Sequence, residues 1–388
     1  MHTLLNALFY LACLGTITSG IYCLLVVVAA VRFGVRRRRA VRQAKEFLPA
    51  VSVLKPLHGT EPSLERNLET FFVQEYPEYE VLFCARHAND AGLMLAREVA
   101  ARHPGVKARF ITCGEPEFPN AKMWSLAALA EAASHETLVT SDADARVSRT
   151  YLRECVQGLA DGAELESCVY VGQTDGGFAS ALDAVGKSVE MTGGVLVADM
   201  LEGTRFALGV TMVLRREGFA LAGGYEELGQ YFAEDFVLGS RLAEAGHSVR
   251  ISKHVIRLMV PPMGFGESFR NQMRWMKSTR RSRPAGHFGT GATFAMPFGL
   301  MGLAWGLLSG HWGWGLLWLL GTCVNRWVLA AVVLWALGDG EAFYGVVIYP
   351  VRDLLGAVLW AGSYWGSTMS YHGGKYQLEK GGRFRRRS

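Results

Sequence analysis

The sequence has no C-x-x-C pair, and its seven cysteines are odd in number and scattered from Cys13 to Cys323. That excludes a disulfide framework and a cysteine-rich zinc site, and it points to a reducing compartment. Charge is scarce: 19% of the 388 residues are Asp, Glu, Lys or Arg, against 50% hydrophobic and a mean hydropathy of +0.15. This balance excludes an ordinary soluble enzyme. The apolar excess sits at the two ends, around a soluble middle. No internal repeat and no low-complexity linker are present, so neither a repeat array nor a loose tether is expected. Acidic residues are missing from Arg32–Arg39, Arg42 and Lys45, a stretch with seven basic ones; Arg270–Arg283 holds six more, and four arginines crowd the last six residues. Basic clusters beside apolar segments face anionic lipid on the cytoplasmic side, and nucleic acid is not expected as a partner.

Leu4 to Val31 runs for 28 residues without a charge and is followed by arginines. It is too long for a signal peptide, and its arginines follow instead of preceding it, so an uncleaved anchor over 1–31 is expected, with a basic linker over 32–50. After the soluble part (51–283) come three further apolar segments within 284–371: Thr290–Gly310, Trp312–Leu337 and Ala342–Tyr371. The second carries Asn325-Arg326 and the third Arg352-Asp353, charges expected to pair with each other or to sit at an interface. Three full crossings would put the basic tail (372–388) outside, against the positive-inside trend, so one segment is open to being re-entrant or lying flat on the surface.

The middle alternates strand and helix. Val51-Ser-Val-Leu54 reads as a strand, broken at its exit by Lys55-Pro56-Leu57-His58-Gly59, a common entry to a nucleotide-binding α/β domain. Leu64, Leu68, Phe71 and Phe72 recur at helical spacing and read as core, and Glu80 to Arg86 is a second strand with Asp90 at its exit. This order predicts an α/β domain with a mainly parallel, Rossmann-like sheet and right-handed crossovers. Lys122, at the start of an alanine-rich helix, opposes the helix dipole unless an anion is near, and a phosphate is one such anion. The strand Thr137–Thr140 ends in Asp142 and Asp144, which alternation would turn to one side where ligands bind in open sheets. Two hard oxygen donors there suit Mg²⁺ or Mn²⁺ on a diphosphate, although an isolated Asp-x-Asp also occurs as a solvated turn. Glu234 and Asp235 open another helix, where acids ordinarily act as caps or dipole partners. The stretch Val189–Met200 is too short and polar to span, and reads as a core helix or an interfacial segment. Arg270 and Arg274 share a helical face, and Trp275 beside them suits an interfacial anchor or a pocket wall.

In order and spacing, Val51-Ser-Val-Leu-Lys-Pro-Leu-His-Gly59, Asn67-Leu-Glu-Thr-Phe-Phe72, Tyr76-Pro77, Tyr79-Glu-Val-Leu82, Asn120-Ala-Lys122, Asp142-Ala-Asp144, Ala233-Glu-Asp235 and Arg274-Trp275 resemble the ceramide glucosyltransferases and their bacterial hopanoid-biosynthesis relatives, family 2-like glycosyltransferases of the GT-A class. The resemblance runs from about Val51 to Trp275. It implies a GT-A domain flanked by transmembrane helices, a UDP-sugar donor, and Mg²⁺ or Mn²⁺. It places Asp90 near the uracil, Asp142 with Asp144 on ribose and metal-bound diphosphate, Asp235 as catalytic base, and Arg274 and Trp275 at the end of a (Gln/Arg)-x-x-Arg-Trp motif. Lys55, Pro56 and Lys122 join the donor-binding set. Two positions depart from the pattern: Asn271 stands where relatives carry Gln or Arg, and Ala121 where many carry proline.

The expectation is a membrane-bound, inverting glycosyltransferase that moves a sugar from a UDP-sugar to a lipid hydroxyl, glucose to ceramide first, at the cytoplasmic face of a bacterial inner membrane. The alternatives are N-acetylglucosamine transfer to a hopanoid alcohol, a polysaccharide synthase, and an inactive membrane scaffold of the same fold. A full set of Asp90, Asp142, Asp144 and Asp235 speaks against the scaffold, since binding alone needs no base.

Overall fold

The computed structural model describes residues 2–41, 47–371 and 374–386. Arg42, Lys45 and Arg387 of the basic clusters lie outside these residues. The chain divides into two compact units: Met1–Val35, Val171–Met200 and Pro262–Ser367 form one, and Arg36–Tyr170, Leu201–Pro261 and Thr368–Ser388 the other. A single helix, α1 (His2–Val41), opens the chain and continues through Arg32 and Arg36–Arg39.

The second unit is built on an eight-stranded sheet in the order β3-β2-β1-β4-β7-β6-β8-β5. β1 (Val51–Pro56) is almost wholly buried because apolar side chains occupy both of its faces. It pairs in parallel with β2 (Tyr79–Ala85) and with β4 (Thr137–Ser141), and β2 pairs in parallel with β3 (Lys107–Thr112). Three helices cross between them: α2 (Leu64–Phe72), α3 (Ala91–Ala101) and α4 (Ala121–Ala132). Leu64, Leu68, Phe71 and Phe72 are buried, as their spacing predicts. β5 (Ala145–Arg146), β6 (Leu165–Gln173), β7 (Thr211–Arg215) and β8 (Val249–Met259) complete the sheet, with β7 antiparallel to β4. The α/β GT-A class expected from the resemblance is therefore borne out, with a parallel half extended by antiparallel strands. Parallel pairing gathers the carboxyl ends of β1, β2 and β4 along one edge, and the antiparallel β7 brings its start, Thr211, beside Ser141. Helix α5 (Glu234–Glu244) follows.

The helical unit contains α1 up to Val35 and a helical run over the stretch Val189–Met200, which begins as a π-helix (Gly186–Met191) and continues as Thr192–Glu202. It also contains α6 (Phe265–Ser282), α7 (Met296–Leu308), α8 (Trp312–Leu337) and α9 (Gly345–Gly362). Among the described residues, three helices are long and apolar enough to cross a membrane: His2–Arg39, Trp312–Leu337 and Glu341–Gly362. The segment expected at Thr290–Gly310 is helical over α7 for only 13 residues, about 20 Å at 1.5 Å per residue, short of a hydrocarbon core of roughly 30 Å. The expected third segment is also shorter than its apolar run. α9 stops at Gly362, Gly366 turns with φ 73°, and Thr368–Tyr371 is a strand.

α1 and α8 run parallel. The Phe9 ring lies 5.8 Å from Trp318, Trp318 Nε1 donates to Thr16 Oγ1 at 2.8 Å, Arg326 Nη2 to the Ser19 carbonyl at 3.3 Å, and Gly34 packs against Trp335 and Ala336. The charges of the apolar segments pair as expected. Arg326, 1% exposed, binds Asp353 at 3.0 Å, and the other Asp353 oxygen accepts the N–H groups of Ala295 and Met296 at 2.9 and 2.8 Å. Asp353 therefore neutralises a buried cation and caps α7, whose first N–H groups have no intrahelical acceptor. The neighbouring Arg352 binds Glu190 at 2.9 Å.

The remaining strands, β9 (Thr368–Tyr371), β10 (Gly374–Leu378) and β11 (Phe384–Arg386), form an antiparallel sheet that belongs to the sheet unit. Much of the expected basic tail is thus folded.

Replacing Asp353 strands the Arg326 guanidinium and uncaps α7 together. Asp353→Ala is expected to cost about 3–5 kcal/mol, the range for breaking a buried ion pair. Asp353→Asn, which keeps an acceptor for the cap, is expected to cost less. Thermal unfolding of both variants in detergent checks the order.

Candidate functional site

The site builds on one lysine at the start of a helix. Asn120 caps α4: its side-chain oxygen accepts the N–H groups of Lys122 and Met123 at 3.0 and 3.2 Å. This fixes Lys122 in the first turn, where the helix dipole disfavours a cation. Three acceptors from other segments answer the charge. Lys122 Nζ lies 2.7 Å from Asp142 Oδ1, 3.2 Å from Glu234 Oε1 and 3.0 Å from the Gly209 carbonyl. Burial works to lower the lysine's pKa, but Asp142 and Glu234 outweigh it, and the ammonium is held above its ordinary range.

Asp235 sits at the same junction, half-buried at the head of α5. One of its oxygens accepts the Gly209 N–H at 2.5 Å and the other the Phe236 N–H at 2.8 Å. A Cβ on residue 209 would stand 2.8 Å from the Asp235 carboxylate, so only glycine allows this approach. Burial and the neighbouring Glu234 charge push the Asp235 carboxyl up to about 6, against the pull of Lys122 and the two N–H groups. Here the two acids are neither caps nor simple dipole partners; the α5 cap position is Ala233.

β4 closes at Ser141, so strand alternation does not set the directions of Asp142 and Asp144. Both stand instead in a tight turn, closed by the Ala145 N–H donating to the Asp142 carbonyl at 3.2 Å and tied to the residue before β7 by the Asp142 N–H on the Val210 carbonyl at 3.0 Å. Lys55 lies beneath this turn, fully buried. Its ammonium donates to the Asp142 carbonyl and rests 3.9 Å from the Phe71 ring centroid. Burial lowers its pKa to about 7, with both Asp142 and Asp144 pulling it back up. In this position Lys55 supports the acidic turn from inside, and Pro56 ends β1 beside it.

Asp90 caps α3. It accepts the Gly92 and Leu93 N–H groups at 2.9 and 3.2 Å and, through its second oxygen, that of Gly59 at 2.9 Å. It thereby joins the exit of β1 to the exit of β2. Arg274 and Trp275 lie on α6 in the helical unit, the guanidinium 5.9 Å from the indole ring and Trp275 half exposed. The chain of contacts within the sheet unit thus gathers Lys55, Lys122, Asp142, Asp144 and Asp235. Two members of the constellation have no site role in the sequence reading. Glu234, 6% exposed, binds both Lys122 and Asn120, and Gly209 orients Asp235. The signal for Glu234 was its place beside Asp235; nothing local marks Gly209.

The donor chemistry at the turn is of the hard-oxygen kind that the divalent ion implied by the resemblance takes, with one Asp142 oxygen already held by Lys122. Asp142 and Asp144 offer carboxylate oxygens, and no group of three or more His, Cys, Asp and Glu side chains is gathered among the described residues. One or two carboxylates with phosphate and water completing the shell is the usual arrangement for Mg²⁺.

The model of the family described as Glycosyl transferase family 21 matches residues 10–384. Ceramide glucosyltransferase 1 of Caenorhabditis elegans is 26% identical over 232 residues, which cover 59% of this chain and 50% of the relative. Ceramide glucosyltransferase 3 of the same organism is 26% identical over 244 residues, covering 60% and 51%. The chain spans about half the length of these curated relatives. Among solved structures, the mannosyltransferase PcManGT from Pyrobaculum calidifontis, in complex with GDP-Man and Mn²⁺, gives a TM-score of 0.49 at 18% identity, over 89% of this chain and 99% of that one.

Lys122→Met would leave Asp142, Glu234 and Asp235 facing one another without a counter-charge. The expected loss of stability is about 3 kcal/mol where all three are ionised. Protonation relieves the repulsion, and without the pull of Lys122 the Asp235 carboxyl rises above its parental value of about 6, so the loss should be full only at a pH above that raised value and shrink as pH falls. Thermal midpoints of the variant and the parent at pH 8 and pH 5 check the sign.

Proposed function

The chain belongs to glycosyl transferase family 21, and on that premise we propose that it transfers a sugar from a UDP-sugar to the hydroxyl of a membrane lipid with inversion, glucose to a ceramide-type acceptor. The observation that carries this reading is the junction of Lys122, Glu234 and Asp235 beside the acidic turn, which would bring a base and a cation for a diphosphate to one place. The ceramide glucosyltransferases among the relatives support the acceptor class.

The acceptor alcohol must lose its proton as it attacks. Asp235 takes it. Raised to about 6, this carboxylate is ionised near neutral pH and a stronger base than an unperturbed aspartate. The N–H groups of Gly209 and Phe236 each occupy one of its oxygens and fix its plane, leaving a lone pair on either oxygen for the incoming proton. The new C1–O bond forms on the face opposite the leaving diphosphate, the old C1–O bond breaks with its electron pair on the nucleotide, and an α-linked donor gives a β-linked product. Asp142 and Asp144 would hold a divalent ion on the diphosphate, where it supplies positive charge against the charge of the leaving group. Lys122 adds a second cation close by, and Lys55 keeps the turn in place from below. Arg274 and Trp275 complete the proposed catalytic set, and Asp90 the uracil side.

The lipid acceptor keeps its tail in the bilayer, so the reaction belongs at a membrane surface. The three helices of spanning length and the basic residues Arg32 and Arg36–Arg39 support that placement, with the sheet unit on the cytoplasmic side.

The test is turnover of the protein in detergent with Mn²⁺ or Mg²⁺, pairing UDP-glucose or UDP-N-acetylglucosamine with ceramide or a hopanoid polyol and reading products by mass. β-Glucosylceramide is expected. Asp235→Asn should lower kcat by about 10²–10⁴ with donor affinity retained; near-parental turnover in that variant overturns the base assignment. The base must be ionised, so activity should be lost as pH falls through about 6. Asp144→Ala should abolish the metal dependence of donor binding together with product formation.

A further inference from the structure

We propose that the small sheet Thr368–Arg386 is a positioning element for the proposed base, holding the segment that leads into Glu234 and Asp235. This rests on Asp235 being the base.

The segment Gln230–Phe232 runs between two partners. On one side the small sheet extends onto it through main-chain bonds. The Phe384 N–H donates to the Gln230 carbonyl at 3.0 Å, the Phe232 N–H donates to the Gly382 carbonyl at 3.2 Å, and Tyr231 and Arg383 form an antiparallel bridge. On the other side Asn120, the cap of α4, donates to the Tyr231 carbonyl at 3.0 Å and to Glu234 at 2.9 Å. The backbone just ahead of the acidic pair is therefore set by residues 382–384 and by the same asparagine that places Lys122.

Side chains reinforce the clamp. Phe232, Met369, Leu378 and Phe384 form a separate apolar cluster, with Phe384 only 1% exposed and its ring 5.6 Å from Phe232, edge to face. Arg383 binds Glu227 at 2.7 Å and donates to the Tyr231 hydroxyl at 3.1 Å, while Arg241 reaches the same two groups at 2.8 and 3.2 Å. Glu227 is thus shared by two arginines that pin Tyr231. Two residues in the turn before β11, Gly381 and Gly382, hold φ at 85° and 88°, a tight reversal that sets Arg383 and Phe384 against Tyr231 and Phe232.

The two halves of the site are held differently. The acidic turn follows β4, and Lys55, which donates to the Asp142 carbonyl from β1, holds it from below. Asp235 follows three residues after a segment that the small sheet helps to fix. Loosening that sheet should displace the base while leaving the acidic turn and Lys55 in place, which separates a positioning role from general destabilisation. It should also admit water to Asp235. The groups facing that carboxylate are Glu234 on its own helix, Lys122 on α4 and the N–H groups of Gly209 and Phe236; added water favours the ionised form and moves the acid limb of the rate profile below about pH 6.

The experiment compares Phe384→Ala, Phe384→Leu and Arg383→Ala in the full chain with the parent, with Asp235→Asn run alongside. Phe384→Ala should lower kcat roughly 10- to 100-fold, the scale of a small misplacement of a catalytic group, with donor KM within about twofold and the acid limb shifted down. Phe384→Leu, which refills the apolar cluster, should recover most of the rate. If Phe384→Ala does not fold, Arg383→Ala, altering a partly exposed side chain, carries the same kcat-without-KM test at smaller amplitude. An unchanged kcat and acid limb, or a parallel loss of kcat and donor binding, overturns the inference. Retained turnover in Asp235→Asn instead overturns the base assignment itself; an inactive Asp235→Asn with parental Phe384→Ala sinks the positioning role alone.

Discussion

One ammonium group holds the proposed site together. Lys122 is placed by the Asn120 cap at the end of a helix that repels it, and it is tolerated there because Asp142, Glu234 and the Gly209 carbonyl converge on it. Those partners come from the turn after β4, the start of α5 and the strand entry before β7. The charge thus fixes the relative placement of segments far apart in sequence. It also permits three carboxylates to stand close together, one of them raised to about 6 and suited to taking up a proton near neutral pH. The acidic turn has a counterpart beneath it in Lys55, whose buried amine donates to the Asp142 carbonyl, so the carboxylates are held by an ammonium at one side and a hydrogen-bond donor below.

Much of the sheet was legible because its central strands are buried on both faces. Val51–Leu54, Glu80–Arg86 and Thr137–Thr140 read as mostly apolar runs, and the helical spacing of Leu64, Leu68, Phe71 and Phe72 marked the face that packs on them. β8 was not legible: Arg250, Lys253, His254 and Arg257 interrupt its alternation, and a strand that is only partly covered on each face leaves no clean pattern. β9 was hidden for the opposite reason, since Thr368–Tyr371 continues an apolar segment and a glycine turn separates the two.

The acids themselves were visible in the sequence, but their arrangement was not. Alternation along a strand was the natural argument for Asp142 and Asp144, and it fails because the strand stops at Ser141 and a turn takes over. Asp90 was legible as an acid at a strand exit, while its three N–H partners, two of them in the first turn of α3, are set by the turn that follows. Gly209 had no local mark at all. Its importance comes from a carboxylate that arrives from a later helix and needs the space a side chain would fill.

The parallel course of α1 and α8 has a topological consequence. Were both to cross a bilayer, they would do so in the same direction, and the chain between them would have to return through an odd number of crossings before Trp312. The apolar stretch available for that return is Pro284–Leu308, and it is not one helix: a short helix ends at Thr290, α7 starts at Met296, and the join falls where Asp353 takes the open N–H groups of Ala295 and Met296. A broken helix within a hydrocarbon layer is tolerable only where the freed polar groups find partners. In such a two-piece crossing Asp353 would answer the N–H groups freed at the join while Arg326 balances its charge, so the pair that looked costly inside apolar segments would be what lets the chain turn back.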